Sequence, residues 1–532
     1  MAFRNHQSKQ GSISDAAPAE PVQTLAQVLP ESGRPWWKQS SLVRLNLILL
    51  VPLFSSATVG YDGAMMNAQQ VMPPWKSHFG NPLSERLGLV NAIFYVGKVV
   101  GLLAVTPLSD RIGRRRPILI GIVLCVIGTV IQSAAVNYGM LVFSRWLLGA
   151  ATAFMSQPSP LLIAELAYPP HRGKITSLYQ TFYYFGAILS AWASFGTVKL
   201  TSNWAWRIPC ILQAFFPLLQ LSFFFFVPES PRWLVAQERV QAARDILVRY
   251  HGHGDPDSTL VHFELNEILV SLRSEKQNRS GALWKELFTV PSNRKRSAIA
   301  ISVGFFSQWC GNGVVSYYLT LVLDNIGITN PTHQSLINGL LQVFNFFISV
   351  FLGAMMVDRL GRRVLFLWSA AGMMVAYIVW TALSASFLST HSTAIGIAVI
   401  PIIFVYYFHY DIAFTPLLYS YPTEIFPYRL RSTGLGLTLF SSFLALIFNL
   451  FVNPIAMASI GWKYYILYCC MNAFILVVVY FLYPETKGYS LEEIAQVFGD
   501  APTDHESSKL GLELDAKGQQ PLDKHEHLEF KA

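Results

Sequence analysis

Along the chain, apolar residues gather into twelve stretches of about 20 residues or more, divided by polar connectors. They run at 44–65, 87–109, 117–136, 140–163, 175–198 and 207–227, then 298–322, 334–357, 364–388, 394–421, 432–455 and 463–483. A helix needs about 20 apolar residues to cross the hydrocarbon core of a bilayer, so each stretch predicts one spanning helix. A polar run, 229–297, separates the sixth stretch from the seventh. Within it, "RWLVAQERVQAARDILVRYHG" leans Leu234, Val235, Ala242, Ile246 and Leu247 to one side, the pattern of an amphipathic helix outside the bilayer. The organisation expected is a disordered N-terminal segment (1–43), a six-helix half (44–228), a linker with short amphipathic helices (229–297), a second six-helix half (298–484) and a polar tail (485–532). The N-terminal segment shows no charged-then-apolar leader. The fold class is all-α and polytopic.

Composition sharpens this. The chain is 52% hydrophobic and only 13% charged, whereas a soluble chain carries about 25% charge. The net charge of +8 sits in connectors, so it orients the helices and implies no nucleic-acid partner. Connectors after even-numbered stretches hold Arg111, Arg114, Arg115 and Arg116, then Arg172 and Lys174, then Arg359, Arg362 and Arg363, then Arg429 and Arg431. Those after odd-numbered stretches hold only Lys76, Arg86, Lys199, Arg207 and Lys463. The positive-inside rule then places the even connectors, the linker and both termini in the cytoplasm. All five cysteines lie inside apolar stretches, which suits packing rather than disulfides or a metal site. No nucleotide-binding loop is present, and neither a cofactor nor enzymatic chemistry is expected.

The chain also repeats itself. "DRIGRRRP" at Asp110 returns as "DRLGRRVL" at Asp358, 248 residues on. Glu165 with Arg172 returns as Glu424 with Arg431 after 259 residues, and "PESPRWL" at Pro228 as "PETKGYS" at Pro484 after 256. Three similar offsets in one order mean a duplicated six-helix unit. Parallel halves with a midplane site between them describe a transporter architecture.

The ordered series "GYDG", "DRIGRRRP", "SRWLLG", "ELAYPPHRGK", "SLYQTFYYFG", "PESPRWL", "DRLGRR", "YPTEIFPYRLRSTG" and "PETKGYSLEE" closely resembles the sugar porter family of the major facilitator superfamily. "FSQWCGNGVVSYYL" and "YDIAFTPLL" are similar to its fungal lactose and cellodextrin permease branch. The resemblance implies the major facilitator fold, a sugar as substrate, and protons as the coupled ion. It also implies a monomeric multi-pass protein of the plasma membrane.

An ionisable group in the bilayer costs about 2.5–3.5 kcal/mol on insertion scales, so each one needs a partner or a task. Asp62 lies 18 residues beyond Arg44, roughly 27 Å along the first helix at 1.5 Å per residue. Arg145 lies roughly 8 Å into the fourth helix from the opposite side. Both fall in the outer half, where they can pair. The pair reads either as a proton site, with Arg145 biasing the Asp62 carboxyl, or as a permanent ion pair holding two helices together. The resemblance favours the proton site. It also implies that Asp110 with Arg114 and Arg115, Glu165 with Arg172, Asp358 with Arg362 and Arg363, and Glu424 with Arg431 latch the cytoplasmic gate, joined by Glu229 and Glu485; the competing reading is topology alone, since any basic cluster anchors a cytoplasmic connector.

Sugars are held by amide and carboxylate hydrogen bonds and by aromatic faces. The resemblance maps Gln180, Gln308, Asn345 and the gate residues Tyr317 and Tyr318 onto substrate positions. Asn312 stands one residue away from the family's asparagine, which turns a helical side chain by about 100° unless the helix is broken at Gly311 and Gly313. Asp411 aligns with an acidic position near the sugar and reads as a hydroxyl ligand or a second proton group. Tyr419 replaces a tryptophan, which suits a larger sugar such as a disaccharide, with a hexose or polyol as the other option. Gln342 and Asn449 are weaker candidates, and for all of these polar residues helix–helix hydrogen bonding is the competing reading. Lys98, near the midplane, has no family role and is left to snorkel, pair with Asp62 or stay neutral. The functional reading is a proton-coupled sugar importer, with a facilitative uniporter or a non-transporting sugar sensor as alternatives.

Overall fold

The computed structural model describes residues 35–277, 283–353, 356, 359–427, 430–487, 494 and 497–499. Asp358 of the expected gate lies outside the described residues, as does the side chain of Gln180. The N-terminal half is built from α1 (Ser40–Gln69), α2 (Glu85–Ile112), α3 (Arg115–Ser133), α4 (Tyr138–Leu166), α5 (Pro169–Thr197) and α6 (Trp204–Phe224). The C-terminal half is built from α7 (Pro291–Asn325), α8 (Pro331–Leu352), α9 (Arg362–Thr390), α10 (Thr393–Ile425), α11 (Arg431–Ile460) and α12 (Tyr464–Leu482). The described residues thus hold a twelve-helix, all-α membrane bundle. Helix α5 is 29 residues long, about 43 Å at 1.5 Å per residue.

Local sequence sets the ends. Helices α5, α7 and α8 each begin on proline, which lacks the donor that a first helical turn leaves unpaired. Asn137 caps α4 by accepting from the Met140 amide at 2.8 Å. Pro158 divides α4, and Gly311, at φ +111°, divides α7 into Pro291–Trp309 and Asn312–Asn325. The first helix starts at Ser40, inside the segment expected to be disordered, and a short 3-10 turn at Trp36–Lys38 precedes it.

Close approach of helices rests on glycine. A Cβ on Gly60 of α1 would lie 1.8 Å from the Tyr183 carbonyl oxygen of α5, and one on Gly186 would lie 1.9 Å from that of Ala57. Gly97 and Gly149 do the same for α2 against α4. Small-residue contacts of this kind hold helices together where lipid removes the hydrophobic drive between them. Outward, Leu103, Val123, Phe223, Val375, Phe448 and Phe474 remain exposed, the surface a bilayer covers.

The linker forms Pro231–Ala236, Val240–Tyr250, Thr259–Gln277 and Leu283–Thr289. Its small core takes Leu234, Val235 and Ala243. Ala242, expected on that face, is exposed instead, because Val240–Tyr250 starts as a new helix after the turn at Glu238, φ +63°. His251 joins the linker to the bundle: Nδ1 lies 2.7 Å from Glu264 Oε2 and Nε2 lies 3.1 Å from the Leu166 carbonyl oxygen.

Candidate transport site

Residues 60 and 62 of a helix point about 200° apart. With Gly60 pressed against α5, Asp62 turns toward α4 and α6 and is fully buried. Arg145 of α4 donates to Asp62 Oδ1 at 2.5 Å, and Gln213 of α6 donates to the same oxygen at 2.8 Å. The guanidinium also sits 4.7 Å from the centre of the Phe94 ring of α2, a favourable cation–π contact. Four helices therefore surround one buried carboxylate. Gln213 was missed from sequence, although its signal is plain: a primary amide alone inside "CILQAFF". Lys98 makes no ion pair with Asp62 among the described residues; its Nζ lies 5.3 Å from the Phe443 ring of α11, across the interface between the halves.

The expected sugar residues of the C-terminal half collect along α7, α8 and α10. Gln308 donates to Ser442 Oγ at 3.0 Å and to Ser307 Oγ at 3.2 Å. The break at Gly311 resets the helical phase, so Asn312 reaches Tyr410 Oη at 3.0 Å rather than pointing away. Tyr410 in turn donates to the Ser307 carbonyl, closing a chain from Asn312 to Gln308. Asp411 is buried and accepts from Tyr184 of α5 and from Thr415, both at 2.9 Å, and the Asn345 amide donates to its other oxygen at 3.3 Å. Tyr419 is half-buried and lies near Tyr179 and Tyr183 of α5.

The two expected gate tyrosines separate. Tyr317 meets Tyr95 of α2, hydroxyl to hydroxyl, at 2.6 Å. Tyr318 is fully buried and donates to the Leu450 carbonyl within its own half. Asn449 binds Tyr468 and Asn453 and serves helix packing.

Charges at the ends carrying the arginine-rich connectors form one arrangement twice. Glu229 accepts from the Arg114 and Arg115 amides at 2.9 and 3.3 Å, and Glu485 from those of Arg362 and Arg363 at 2.8 and 3.0 Å. Each carboxylate caps a helix that begins after an arginine-rich connector, Glu229 capping α3 and Glu485 capping α9, where the exposed N–H groups and helix dipole favour an anion. The space for each carboxylate comes from Gly113 and Gly361, at φ +97° and +96°, where a Cβ would lie within 2.6 Å of it. Arg114 also pairs with Asp110 at 2.9 Å and Glu165 at 3.5 Å, and Arg362 with Glu424 at 3.0 Å. Arg172 is exposed and, among the described residues, makes no ion pair with Glu165. Arg431 is half-buried at the start of α11.

These ion pairs each stay within one half. Among the described residues, hydrogen bonds that join the halves lie from the middle of the helices to the opposite end: Tyr184 to Asp411, Tyr95 to Tyr317, Gln70 to the Tyr317 carbonyl, and Asn67 to Asn338. At that end Gly88 of α2 packs directly on Phe451 of α11.

The family model described as "Sugar (and other) transporter" matches residues 48–498. The chain belongs to the sugar porter family of the major facilitator superfamily. This sugar porter is 28% identical over 492 residues to the low-affinity glucose transporter HXT1 of Saccharomyces cerevisiae, covering 89% of this chain and 85% of that one. It is equally similar, at 28% over 429 residues, to the MFS-type transporter oryC of Aspergillus oryzae, covering 80% and 79%. Among solved structures, the inward-open xylose transporter XylE of E. coli superposes with a TM-score of 0.71 at 26% identity, over 85% of this chain and 99% of that one. The proton:xylose symporter XylE bound to 6-bromo-6-deoxy-D-glucose superposes at 0.68 and 25% identity, over 86% and 99%. The sugar porter is a transporter, not an enzyme.

Proposed function

We propose that this sugar porter imports its sugar together with protons, by alternating access. The observation that carries the reading is the buried Asp62 carboxylate, held by one guanidinium and one amide at the junction of α1, α2, α4 and α6. An ionisable group so costly to bury reads as a functional site by default, and a proton is the ligand that suits a carboxylate. A proton taken by Asp62 removes its attraction for Arg145, which frees the guanidinium and alters how α1 and α4 pack. The XylE structures offer a proton-coupled neighbour and the yeast relatives a glucose-transporting one.

The arginine-rich connectors, the linker and both termini face the cytoplasm in this reading, by the positive-inside rule. The chain then rests inward-facing, closed outside by Tyr95–Tyr317 and Asn67–Asn338. The sugar ligands in this reading are Gln308, Asn312, Asn345, Asp411, Tyr317 and Tyr419, with Gln180 assigned from sequence alone; the sugar is a disaccharide or hexose, and Tyr419 gives it more room than tryptophan. The arginine–glutamate clusters latch the cytoplasmic side in the outward-facing state. A monomer in the plasma membrane completes the proposal.

The test uses purified protein in weakly buffered proteoliposomes, with sugar uptake and external pH followed together. The expected result is alkalinisation of the medium on sugar addition and sensitivity to a protonophore. Asp62→Asn should abolish accumulation while sparing sugar exchange. Accumulation by that variant would remove the proton role of Asp62, and uptake with no pH change in the wild type would make the protein a uniporter.

A further inference from the structure

Asp411 lies at the nineteenth position of the 33-residue α10, in the middle of the bundle and 1% exposed. Unlike Asp62, it has no cation against it among the described residues. From α5 it meets the Tyr184 hydroxyl, from α10 the Thr415 hydroxyl, and from α8 the Asn345 amide, with Ser349 beside it. The titratable groups around it are neutral phenols: Tyr184, and Tyr407 and Tyr410 of its own helix, with Tyr317 of α7 beyond Tyr407. The adjacent His409 points the other way, its ring against Gly372 and Trp368 of α9 and its Nδ1 donating to the Val405 carbonyl. Among the described residues no arginine, lysine or histidine side chain faces the carboxylate.

Two forces act on this group in opposite directions. Hydroxyl and amide donors favour the ionised form, while burial without a counter-ion favours the neutral acid. Its surroundings accommodate both. The Asn345 amide donates to an ionised Oδ2 and, turned over, accepts from a protonated one. Ser349 belongs to a π-helical turn, Ile348–Gly353, and such turns recur at functional sites because they re-aim side chains. The Tyr184–Asp411 bond also crosses from one half to the other.

We propose that Asp411 is a second proton-binding carboxyl, in the C-terminal half, and that its charge state sets the strength of the tie between Tyr184 and α10. Ionised, it holds Tyr184 through a charge-assisted bond, which is about twice as strong as a neutral one. Protonated, it keeps only a neutral bond and the halves part more readily. One proton adds to one carboxylate oxygen and leaves by the same oxygen. This deepens the proton-coupled reading and rests on it.

The experiment measures protons moved per sugar from reversal potentials in proteoliposomes, alongside the pH profile of sugar exchange. Asp411→Asn is expected to lower the protons per sugar to about half and to flatten the upper limb of the exchange profile. Tyr184→Phe, which keeps the ring and Asp411 but removes the bond, is expected to shift that limb without lowering the ratio. An infrared carbonyl band of a protonated acid, followed across pH in detergent and lost in Asp411→Asn, reads the same group without transport and serves if that variant does not transport. Wild-type ratio and profile in Asp411→Asn, or a band that survives the substitution, overturn the proposal. A wild type that moves no protons at all overturns the proton-coupled reading itself.

Discussion

Asp62 Oδ1 lies 2.5 Å from an Arg145 guanidinium nitrogen, with the two side chains 0% and 3% exposed. Removing one partner of a buried pair leaves the other charge unmatched, at a cost of about 3–5 kcal/mol. Arg145→Met is therefore expected to lower the melting temperature in detergent markedly. Asp62→Asn combined with Arg145→Met should recover much of that loss, since no charge is then stranded. Equal melting of Arg145→Met and wild type would show that the pair holds nothing together.

The end opposite the arginine-rich connectors is closed by hydrogen bonds between the halves. Each is worth about 0.5–1.5 kcal/mol net. Tyr95→Phe with Asn67→Ala removes the Tyr95–Tyr317 and Asn67–Asn338 bonds together and should shift the balance toward opening there by about 1–3 kcal/mol. Spin labels on the ends of α1 and α7 should show a longer-distance population growing in the double variant. An unchanged distance distribution would place the closure in apolar packing instead.

Gly60→Ala forces a methyl group against the Tyr183 carbonyl, a backbone atom that cannot rotate aside. Overpacking of this kind costs about 1–3 kcal/mol, and Gly186→Ala should match it from the other helix. Gly196→Ala is the control, because nothing lies within 4 Å of a Cβ there, and alanine favours a helix over glycine by about 1 kcal/mol. Size-exclusion profiles with heating should rank Gly60→Ala and Gly186→Ala below wild type and Gly196→Ala at or above it.

Partial burial alone would raise the Glu485 carboxyl, but the backbone N–H groups of Lys487, Arg362, Thr486 and Arg363 outweigh it and hold the group below its ordinary value of 4.5. A carboxyl lowered by folding stabilises the fold above its unfolded value and loses that contribution as pH falls through the lowered one. Wild-type melting temperature should therefore fall on acidification through that range. Glu485→Gln should start lower at neutral pH and fall less steeply. Parallel curves would mean that the α9 cap is not charge-dependent.

Much of this molecule is legible in one dimension. The length and spacing of the apolar stretches are those of the helices, because a bilayer asks only for apolar side chains over a given length. The repeated "DR-GRR" and "PES/PET" signatures recur in the chain, although nothing in the string says that each glutamate caps a helix three earlier in the chain through the gap left by Gly113 or Gly361. Asp62 and Arg145 are legible as a pair because charge in an apolar run is rare and two rare charges at one depth have few other partners.

Gln213, the Tyr184–Asp411 bond and the separate fates of Tyr317 and Tyr318 are not legible in this way. Uncharged polar groups are common in membrane helices, and adjacent positions differ only by the rotation of the helix. The phase of α7 beyond Gly311 is set by a single positive φ, and only that phase turns Asn312 toward Tyr410. The sequence by itself determined the all-α bundle of long apolar helices and the existence of one buried charge pair, since these follow from solvent and from charge. The tertiary structure alone decided which polar groups meet across the halves, since helix rotation and the close approaches at glycine set those contacts.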